Sequence, residues 1–458
     1  MVSDTIAAVA TAVGEGSIAV IRVSGPDSID VVDRVFKTKR SLKDADTHTI
    51  HYGHIWDPDT NESIDEVLVS VMRAPRSFTM EDVVEISCHG GIVSMKKVLD
   101  VVLQHGARLA EPGEFTKRAF LNGRIDLTQA EAVMDLIRSK SDRAFGIARK
   151  QSEGSLSKQI QALRHVLVET MAHIEVNIDY PEHDVEELTN AFIRDKCTEA
   201  QAEIERLLKT AGQGKMLREG ITTAIVGRPN VGKSSLLNAL TQENRAIVTD
   251  IPGTTRDVIE EFITINGIPL KLLDTAGIRE TSDVVEKIGV ERSKSALSEA
   301  DLILFVLNHN EPLSSEELEL MEQIRHRPVI VIVNKSDLPR RLGLEQIQNT
   351  LGEHQMVLMS MKEQKGMEQL EMAISDLFFS GQLESNDLTY VTNSRHIALL
   401  KQAYQSLSDA IHGVDMMVPI DMIQIDVRNA WEQLGEITGD TAAESLLDQI
   451  FTQFCLGK

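Results

Sequence analysis

Cysteine is scarce in this chain: only Cys88, Cys197 and Cys455 occur among its 458 residues. Because they are far apart and odd in number, they predict no disulfide framework and favour a reducing compartment. No stretch approaches the roughly 18 consecutive apolar residues that a membrane-spanning helix needs. The N-terminal apolar run lacks a basic leader, which disfavours a signal peptide. We therefore expect a cytoplasmic protein without a membrane segment.

Basic residues are outnumbered as well: 47 Lys and Arg stand against 70 Asp and Glu, a net charge of −23. This charge disfavours nucleic-acid binding by the surface as a whole, because phosphates need nearby Lys or Arg. It leaves room for a local basic patch, or for a partner that supplies one. The run with Lys37, Lys39, Arg40 and Lys43 could be such a patch, although a solvated loop is the simpler interpretation.

The spacing of apolar residues predicts a multidomain chain, and its length favours two to four domains. The predicted segments are an α+β module (1–122), a helical segment (123–219), an α/β segment (220–381) and a second helical segment (382–458). Strand-like runs and a helix at Ile92–Gln104 characterise the first segment. A helical block at 195–210 is expected to break at Gly212-Gln213-Gly214. We expect an α/β domain inserted into a discontinuous helical-bundle domain.

A phosphate-binding loop is the strongest motif. Residues Gly227 to Ser234 read GRPNVGKS and fit G-x-x-x-x-G-K-S, between a predicted strand at Ile221–Val226 and a predicted helix. Glycines allow backbone N–H groups to face phosphates, and the helix N-terminus adds positive potential. Lys233 is expected to contact the outer phosphates and to act in catalysis, and Ser234 to bind Mg²⁺.

Two later motifs decide which nucleotide is bound. Asp274-Thr275-Ala276-Gly277 follows a predicted strand, where Asp274 can hold the metal through water and Gly277 can contact the γ-phosphate. Asn334-Lys335-Ser336-Asp337 follows another strand. The Asp337 carboxylate can accept two hydrogen bonds from guanine, whereas adenine would leave it unpaired. The sequence therefore predicts a GTP-binding P-loop domain with a Ras-like α/β fold.

The predicted GTP contacts lie in four groups. They are Asn230, Val231, Gly232, Lys233, Ser234 and Ser235; Thr249, Asp250, Ile251, Pro252, Gly253, Thr254 and Thr255; Asp274, Thr275, Ala276 and Gly277; and Asn334, Lys335, Asp337, Ser360, Met361 and Lys362. Ile278 stands where Ras-like switches place the glutamine that orients water, so another group must orient it. The amide oxygen of Asn230 and the oxygens of the first switch could enclose a monovalent cation.

Three further motifs support a family resemblance. They are Pro112-Gly113-Glu114-Phe115 with Arg118-Ala119-Phe120-Leu121-Asn122, Gly253-Thr254-Thr255-Arg256-Asp257, and the terminal Phe454-Cys455-Leu456-Gly457-Lys458. Along essentially its whole length the chain resembles the MnmE (TrmE) family of bacterial tRNA modification GTPases. The resemblance implies an N-terminal domain that binds folate and dimerises, a helical domain built from two chain segments, and an inserted G domain.

The resemblance also implies cofactors, partners and a reaction. The expected cofactors are GTP, Mg²⁺, K⁺ and a one-carbon tetrahydrofolate, in the 5-formyl or the methylene form. The expected partners are the flavoprotein MnmG, a second copy of the chain, and tRNA. Most of the contacts with tRNA could be made by MnmG. The expected reaction adds an aminomethyl-type group, as in carboxymethylaminomethyl, at carbon 5 of the wobble uridine of certain tRNAs.

Site residues follow from the resemblance by position. It implies K⁺ ligands at Asn230, Thr249, Ile251 and Thr254, Mg²⁺ ligands at Ser234 and Thr255, a water-orienting catalytic acid at Glu286, and folate contacts at Arg22, Glu81, Arg124 and Lys458. Arg124 departs from the lysine of the family pattern, and Met361 from its usual small residue. A solvated carboxylate at a helix start remains an alternative for Glu286. Cys455 could be a nucleophile or a small buried hydrophobe.

The main rival function is a regulatory GTPase that acts as a ribosome-assembly switch without modification chemistry. A scaffold that only senses GTP is a third possibility. The N-terminal module and the Phe454–Lys458 tail favour the modification enzyme, because a ribosome-binding switch needs neither.

Overall fold

A computed structural model describes residues 4–179, 186–243, 247–248, 261–273, 297–352, 354–379 and 389–458. The chain forms two compact units. The first unit contains Met1–Met134, Gln151–Glu169 and Arg428–Lys458, and the second contains Asp135–Lys150 and Thr170–Val427. Among the described residues, no helix combines the length and the apolar character that crossing a membrane requires.

Helices supply much of the described structure. In chain order they are α1 Ser28–Val35, α2 Ile92–Gln104, α3 Glu114–Leu121, α4 Leu127–Arg138, α5 Asp142–Ser152, α6 Ser155–Asp179, α7 Glu186–Glu219, α8 Lys233–Glu243, α9 Ser315–Ile324, α10 Leu344–Leu351, α11 Met367–Phe379, α12 Ser394–Asp415, α13 Ile420–Thr438 and α14 Glu444–Phe451. A short 3₁₀ helix spans Leu42–Asp44.

The first unit is built on a seven-stranded sheet with the order β3-β4-β5-β6-β2-β1-β7. Its strands are β1 Ile6–Val9, β2 Ile18–Ser24, β3 Phe36–Lys37, β4 Thr49–Asp57, β5 Glu62–Met72, β6 Val83–His89 and β7 Arg108–Leu109. All neighbours pair antiparallel except β1 and β7. Alternate residues such as Ile21, Val23 and Ile86 are buried against α2, as the period of a strand requires. The predicted α+β class is confirmed.

The C-terminal segment packs against α4 in the first unit. Leu447, Phe451 and Phe454 form one buried cluster with Leu127 and Met134. Gly457 has a φ of +85°, and a Cβ atom there would lie 2.1 Å from the carbonyl oxygen of Val9. Only glycine therefore allows the tail to lie directly against the backbone at the end of β1.

The second unit contains a seven-stranded sheet with the order β14-β13-β12-β8-β11-β10-β9. Its strands are β8 Ile221–Val226, β9 Ile247–Val248, β10 Glu261–Ile265, β11 Ile268–Leu272, β12 Leu302–Asn308, β13 Val329–Asn334 and β14 Gln355–Leu358. The strands β14, β13, β12, β8 and β11 run parallel, and β12 and β13 are buried at every position. The predicted buried parallel sheet is confirmed.

Helix α7 corrects one expectation, because it runs through the predicted break at Gly212-Gln213-Gly214. A Cβ atom at Gly214 would lie 2.4 Å from the carbonyl oxygen of Val391. The glycine thus permits a close approach between the helix and the chain that leads into α12. This packing outweighs the cost of about 1 kcal/mol that a glycine imposes within a helix.

Candidate functional site

The loop between β8 and α8 has the backbone shape that a phosphate site needs. Gly227 and Gly232 have φ values of +150° and +108°. A Cβ atom at Gly227 would lie 2.3 Å from the carbonyl oxygen of Val306, and one at Gly232 would lie 2.1 Å from Asn334 Nδ2. These two glycines let the loop wrap closely around the ends of β12 and β13. Ser234 and Ser235 are exposed in the first turn of α8.

Lys233 is fixed across this loop. Its Nζ donates to the carbonyl oxygens of Gly227, at 2.6 Å, and of Arg228, at 2.8 Å. Burial lowers the pKa of the lysine, because its charged form loses hydration. A nucleotide phosphate would supply a compensating negative charge.

Asn334 joins the loop to the end of β13. Its Nδ2 donates to the carbonyl oxygen of Val231 at 2.9 Å, and its Oδ1 accepts from the backbone N–H of Met361 at 3.4 Å. The side chain of Lys335 reaches the carbonyl oxygen of Asn230 at 2.9 Å. Three motifs that are distant in sequence therefore meet at one edge of the sheet.

Asp337 lies exposed beside these contacts. The hydroxyl of Ser360 donates to its Oδ1 at 2.8 Å, and this hydrogen bond, more than the nearby Lys362, lowers the pKa of the carboxyl group. Asp337 is thus an ionised acceptor in a set orientation, as recognition of the N1–H and amine of guanine requires.

A second set of predicted residues meets in the first unit. The guanidinium carbons of Arg22 and Arg124 lie 5.8 Å and 5.0 Å from the centre of the Phe78 ring. Arg22 also donates to the carbonyl oxygen of Gly457 at 3.2 Å, which places it beside the terminal Lys458. Burial, followed by the charge of Arg22, lowers the pKa of Lys458. Clustered, partly buried cations suit an anionic ligand.

Glu81 lies in the same unit and is held from two sides. The hydroxyl of Ser24 donates to its Oε2 at 2.7 Å, and Arg118 Nη1 lies 3.3 Å from both carboxylate oxygens. Arg118 is only 8% exposed and also pairs with Asp4 and Glu114. The carboxylate is therefore oriented before any ligand arrives.

The comparisons with known proteins cover the whole chain. The family described as the MnmE helical domain matches residues 127–455, and the family described as the GTP-binding protein TrmE N-terminus matches residues 5–124. The tRNA modification GTPase MnmE of Geobacillus kaustophilus is 61% identical over 458 residues, which cover 99% of each chain.

Two further relatives carry the same name. The protein of Bacillus cytotoxicus is 61% identical over 456 residues, covering 99% of each chain. The protein of Bacillus pumilus is 60% identical over 458 residues, covering 99% of this chain and 100% of the relative. The chain belongs to the MnmE family of tRNA modification GTPases. As a member of that family it is a GTP hydrolase, which confirms the predicted resemblance and enzyme class.

Several MnmE-type residues that the sequence predicts lie outside the described residues. These are the first-switch residues Thr249, Asp250, Ile251, Pro252, Gly253, Thr254 and Thr255, the second-switch residues Asp274, Thr275, Ala276 and Gly277, and Glu286. Their roles, including those in metal binding, stay predictions.

Sequence reasoning missed the surroundings of Arg228. Arg228 Nη2 lies 2.9 Å from Glu311 Oε2, and its Nε lies 2.9 Å from Oε1 of Glu317, which is 2% exposed. Glu317 also completes a capping box with Ser314 at the start of α9. The Ser-x-x-Glu spacing is visible in the sequence, but it indicates only a helix start and gives no sign of the loop that contacts it.

Two other side chains that could take part in chemistry differ in their surroundings. His89 ends β6, and its Nδ1 lies 2.6 Å from Asp65 Oδ1. Cys455 is exposed, so the interpretation as a buried hydrophobe is wrong, whereas Cys88 and Cys197 are buried. Burial raises the pKa of Cys88 to about 11.

Proposed function

We propose that the chain is a K⁺-activated GTPase that acts with the flavoprotein MnmG on tRNA. Together they would modify carbon 5 of the wobble uridine. A one-carbon tetrahydrofolate would supply the methylene carbon, and ammonium or glycine would supply the rest of the aminomethyl or carboxymethylaminomethyl group. The observation that carries the proposal is the meeting of Lys233, Asn334 and Asp337 at one sheet edge in a member of the MnmE family.

In the proposed GTPase site, Lys233 and the backbone of the glycine loop bind the phosphates. Ser234, exposed at the start of α8, and Thr255 would hold Mg²⁺, which supplies positive charge to the phosphates. Asp337 accepts hydrogen bonds from the guanine edge, and Ser360 keeps its carboxylate in place.

The proposed K⁺ site uses the amide oxygen of Asn230 with oxygens of Thr249, Ile251 and Thr254. Asn230 fits this role, because it is exposed, has a left-handed φ of +63° and has its own carbonyl held by Lys335. GTP turnover in K⁺ and in Na⁺ at equal ionic strength tests the site. We expect much faster turnover in K⁺; equal rates would remove the cation from the mechanism.

Glu286 is the proposed group that orients the attacking water, since Ile278 has no hydrogen-bonding side chain. GTP would bring two G domains together, and hydrolysis would release them as the switch loops lose their γ-phosphate contacts. The change would pass through the helical domain (123–219 and 382–458) to the N-terminal domain (1–122).

The proposed folate site lies in the first unit. Arg22, Arg124 and Lys458 provide positive charge for the glutamate carboxylates of the ligand, and Glu81 provides an acceptor for the pterin amine. The stacking of two guanidinium groups on Phe78 and the pre-oriented Glu81 carboxylate support this assignment.

A homodimer through the N-terminal domain is the proposed assembly. Ile50 and Tyr52 on β4 and Leu68 on β5 are 68%, 61% and 47% exposed on one face of the sheet, and Tyr52 pairs directly with Leu68. Three large apolar side chains on a folded sheet face are a typical protein interface. A second copy of the chain is the proposed occupant.

Nucleoside mass spectrometry of tRNA from a deletion strain tests the overall proposal. Unmodified wobble uridine, restored by the wild-type chain, is the expected result. Normal modification together with a defect in ribosome assembly would instead support the regulatory switch. The net charge of −23 is consistent with MnmG supplying many tRNA contacts.

A further inference from the structure

The hairpin formed by β10 and β11 occupies a special place in the chain. β10 begins shortly after the predicted first switch, and β11 ends just before Asp274 of the predicted second switch. Each strand has five residues, so the turn lies about 16 Å from those ends at roughly 3.3 Å per residue. The hairpin therefore directly connects the two predicted switches along the chain.

The turn of this hairpin is a tight two-residue turn. Asn266 and Gly267 have φ values of +48° and +77°, between paired residues Ile265 and Ile268. Asn-Gly is the preferred sequence for such a turn, because both central residues need positive φ. The hairpin is thus a stiff element with a defined tip.

Residues 140–147, part of the predicted helical domain, contact this hairpin. The hydroxyl of Thr264 donates to the carbonyl oxygen of Lys140 at 2.9 Å. The Nζ of Lys140 lies 5.4 Å from the centre of the Phe262 ring. Ile147 packs against the buried apolar cluster of the G-domain sheet. Two contacts therefore join this segment to the hairpin, and a third joins it to the apolar core beside the hairpin.

Arg143 makes the contact at the tip. A Cβ atom added to Gly267 would lie 3.0 Å from Cγ, Cδ and Nε of Arg143, so the arginine stem lies directly on the turn. Its Nη1 is buried and has no hydrogen-bond partner among the described residues. An unpaired buried donor costs free energy, which would be recovered in a second arrangement that pairs it.

The chain just before this segment is joined to the chain that leads into β8. Arg218 Nε lies 2.8 Å from Asp135 Oδ1, which joins the end of α7 to α4 just before β8 begins. The end of α4 is therefore fixed to α7, while Lys140 and Arg143, which follow it in the chain, lie on the hairpin.

We infer that Arg143 is a positioning residue for GTP hydrolysis, which acts through the β10–β11 hairpin on the two switches and links them to the helical segment. The inference rests on the proposed roles of the switches. Because the P-loop and Asp337 bind the nucleotide independently of this contact, Arg143 affects turnover and leaves affinity unchanged.

The test measures single-turnover GTP hydrolysis and GDP affinity in the full chain. Arg143→Ala should slow hydrolysis about three- to thirty-fold while GDP affinity changes less than about two-fold. Arg143→Lys, which keeps most of the aliphatic stem, should restore part of the rate. Arg325→Ala is the matched control, because Arg325 pairs only locally, with Glu322 on α9, in the described structure.

A double-mutant cycle locates the effect at the tip. Gly267→Ala should slow hydrolysis in the wild type, because its new methyl group presses on the Arg143 stem and because alanine is strained at a φ of +77°. In the Arg143→Ala background it should slow hydrolysis less, because only the strain remains. The inference would be overturned if Arg143→Ala hydrolysed GTP at the wild-type rate. It would also be overturned if the effects of Arg143→Ala and Gly267→Ala on the rate were fully additive. If Arg143→Ala does not fold by circular dichroism, Arg143→Ser replaces it with the same criteria, because serine also removes the stem. If the wild-type chain hydrolysed GTP no faster in K⁺ than in Na⁺, that result would instead count against the proposed GTPase mechanism.

Discussion

The two candidate sites of this molecule are assembled in different ways. At the nucleotide site, short continuous motifs follow the ends of parallel strands, and Lys233, Asn334 and Asp337 meet because those ends share one edge of the sheet. In the first unit, Arg22 and Lys458 are brought together from opposite ends of the chain. Local sequence thus specifies the first site, whereas tertiary packing assembles the second.

A change in base recognition should give the largest effect on binding, and it tests whether the nucleotide site is specified by its local motifs. Asp337→Asn should weaken GTP binding by at least about 1000-fold, because the amide cannot accept both guanine hydrogen bonds. Xanthosine triphosphate should regain much of the lost affinity, since its carbonyl accepts from the new amide. Fluorescence titration with both nucleotides measures the change. Unchanged GTP affinity would mean that the loop is misassigned.

Hydrolysis offers the next largest effect. Glu286→Ala should lower GTP turnover about 100-fold with nearly unchanged GDP affinity, because the residue acts on the attacking water and does not bind the base. Stopped-flow measurements in K⁺ would record both quantities. A variant that hydrolyses GTP normally would favour the solvated helix-start carboxylate.

The tail should affect only the second site. In Gly457→Ala the new methyl group would collide with the carbonyl oxygen of Val9, so binding of a tetrahydrofolate analogue should weaken roughly ten-fold or more. GTP turnover should stay within about two-fold. The control is Gly352→Ala, at a φ of +70° with no described atom within 4 Å of the new methyl group. Unchanged binding of the analogue would contradict the role of the tail.

The smallest expected effect is on stability at acid pH. It concerns the ion pairs of Glu114, which lie beside Arg118 and Glu81 of the second site. Burial alone would raise the pKa of Glu114, but hydrogen bonds from Arg108 and Arg118 lower it below its usual value. The ionised Glu114 therefore stabilises the folded state above about pH 4.5, and this stabilisation is lost as the pH falls through the lower pKa of the folded state. Glu114→Gln should make the free energy of unfolding depend less on pH in this range.

Thermal unfolding between pH 3 and pH 6 measures this difference. The gap between the midpoints of wild type and Glu114→Gln should be largest near pH 6 and shrink by roughly 2–4 °C towards pH 3. A gap that does not change with pH would show that the ion pairs contribute no pH-dependent stability.

The local geometry of the predicted nucleotide site follows from the sequence for a physical reason. The apolar run Ile221–Val226 favours a buried strand, and the glycines that follow it allow the tight loop. The residues of the motif are therefore the same ones that determine its geometry. The Asn266-Gly267 dipeptide carried an equally local signal for the β10–β11 hairpin, but the prediction did not use it.

What the sequence could not predict depends on long-range contacts. Nothing local to Gly214 shows that Val391 approaches it, so the continuous α7 was missed. The pairing of Arg118 with Glu81 and the stacking of Arg22 on Phe78 join residues from separate elements. Only the family resemblance predicts the second site, and the partners of its residues became visible only in the structure.

The central claim is that the loop at Gly227 holds a phosphate chain while Asp337 selects guanine. Equilibrium titration of the purified full chain with fluorescent GDP and ADP tests it most directly. The account predicts that GDP binds at least about 100-fold more tightly than ADP. Equal affinity for the two nucleotides would contradict it.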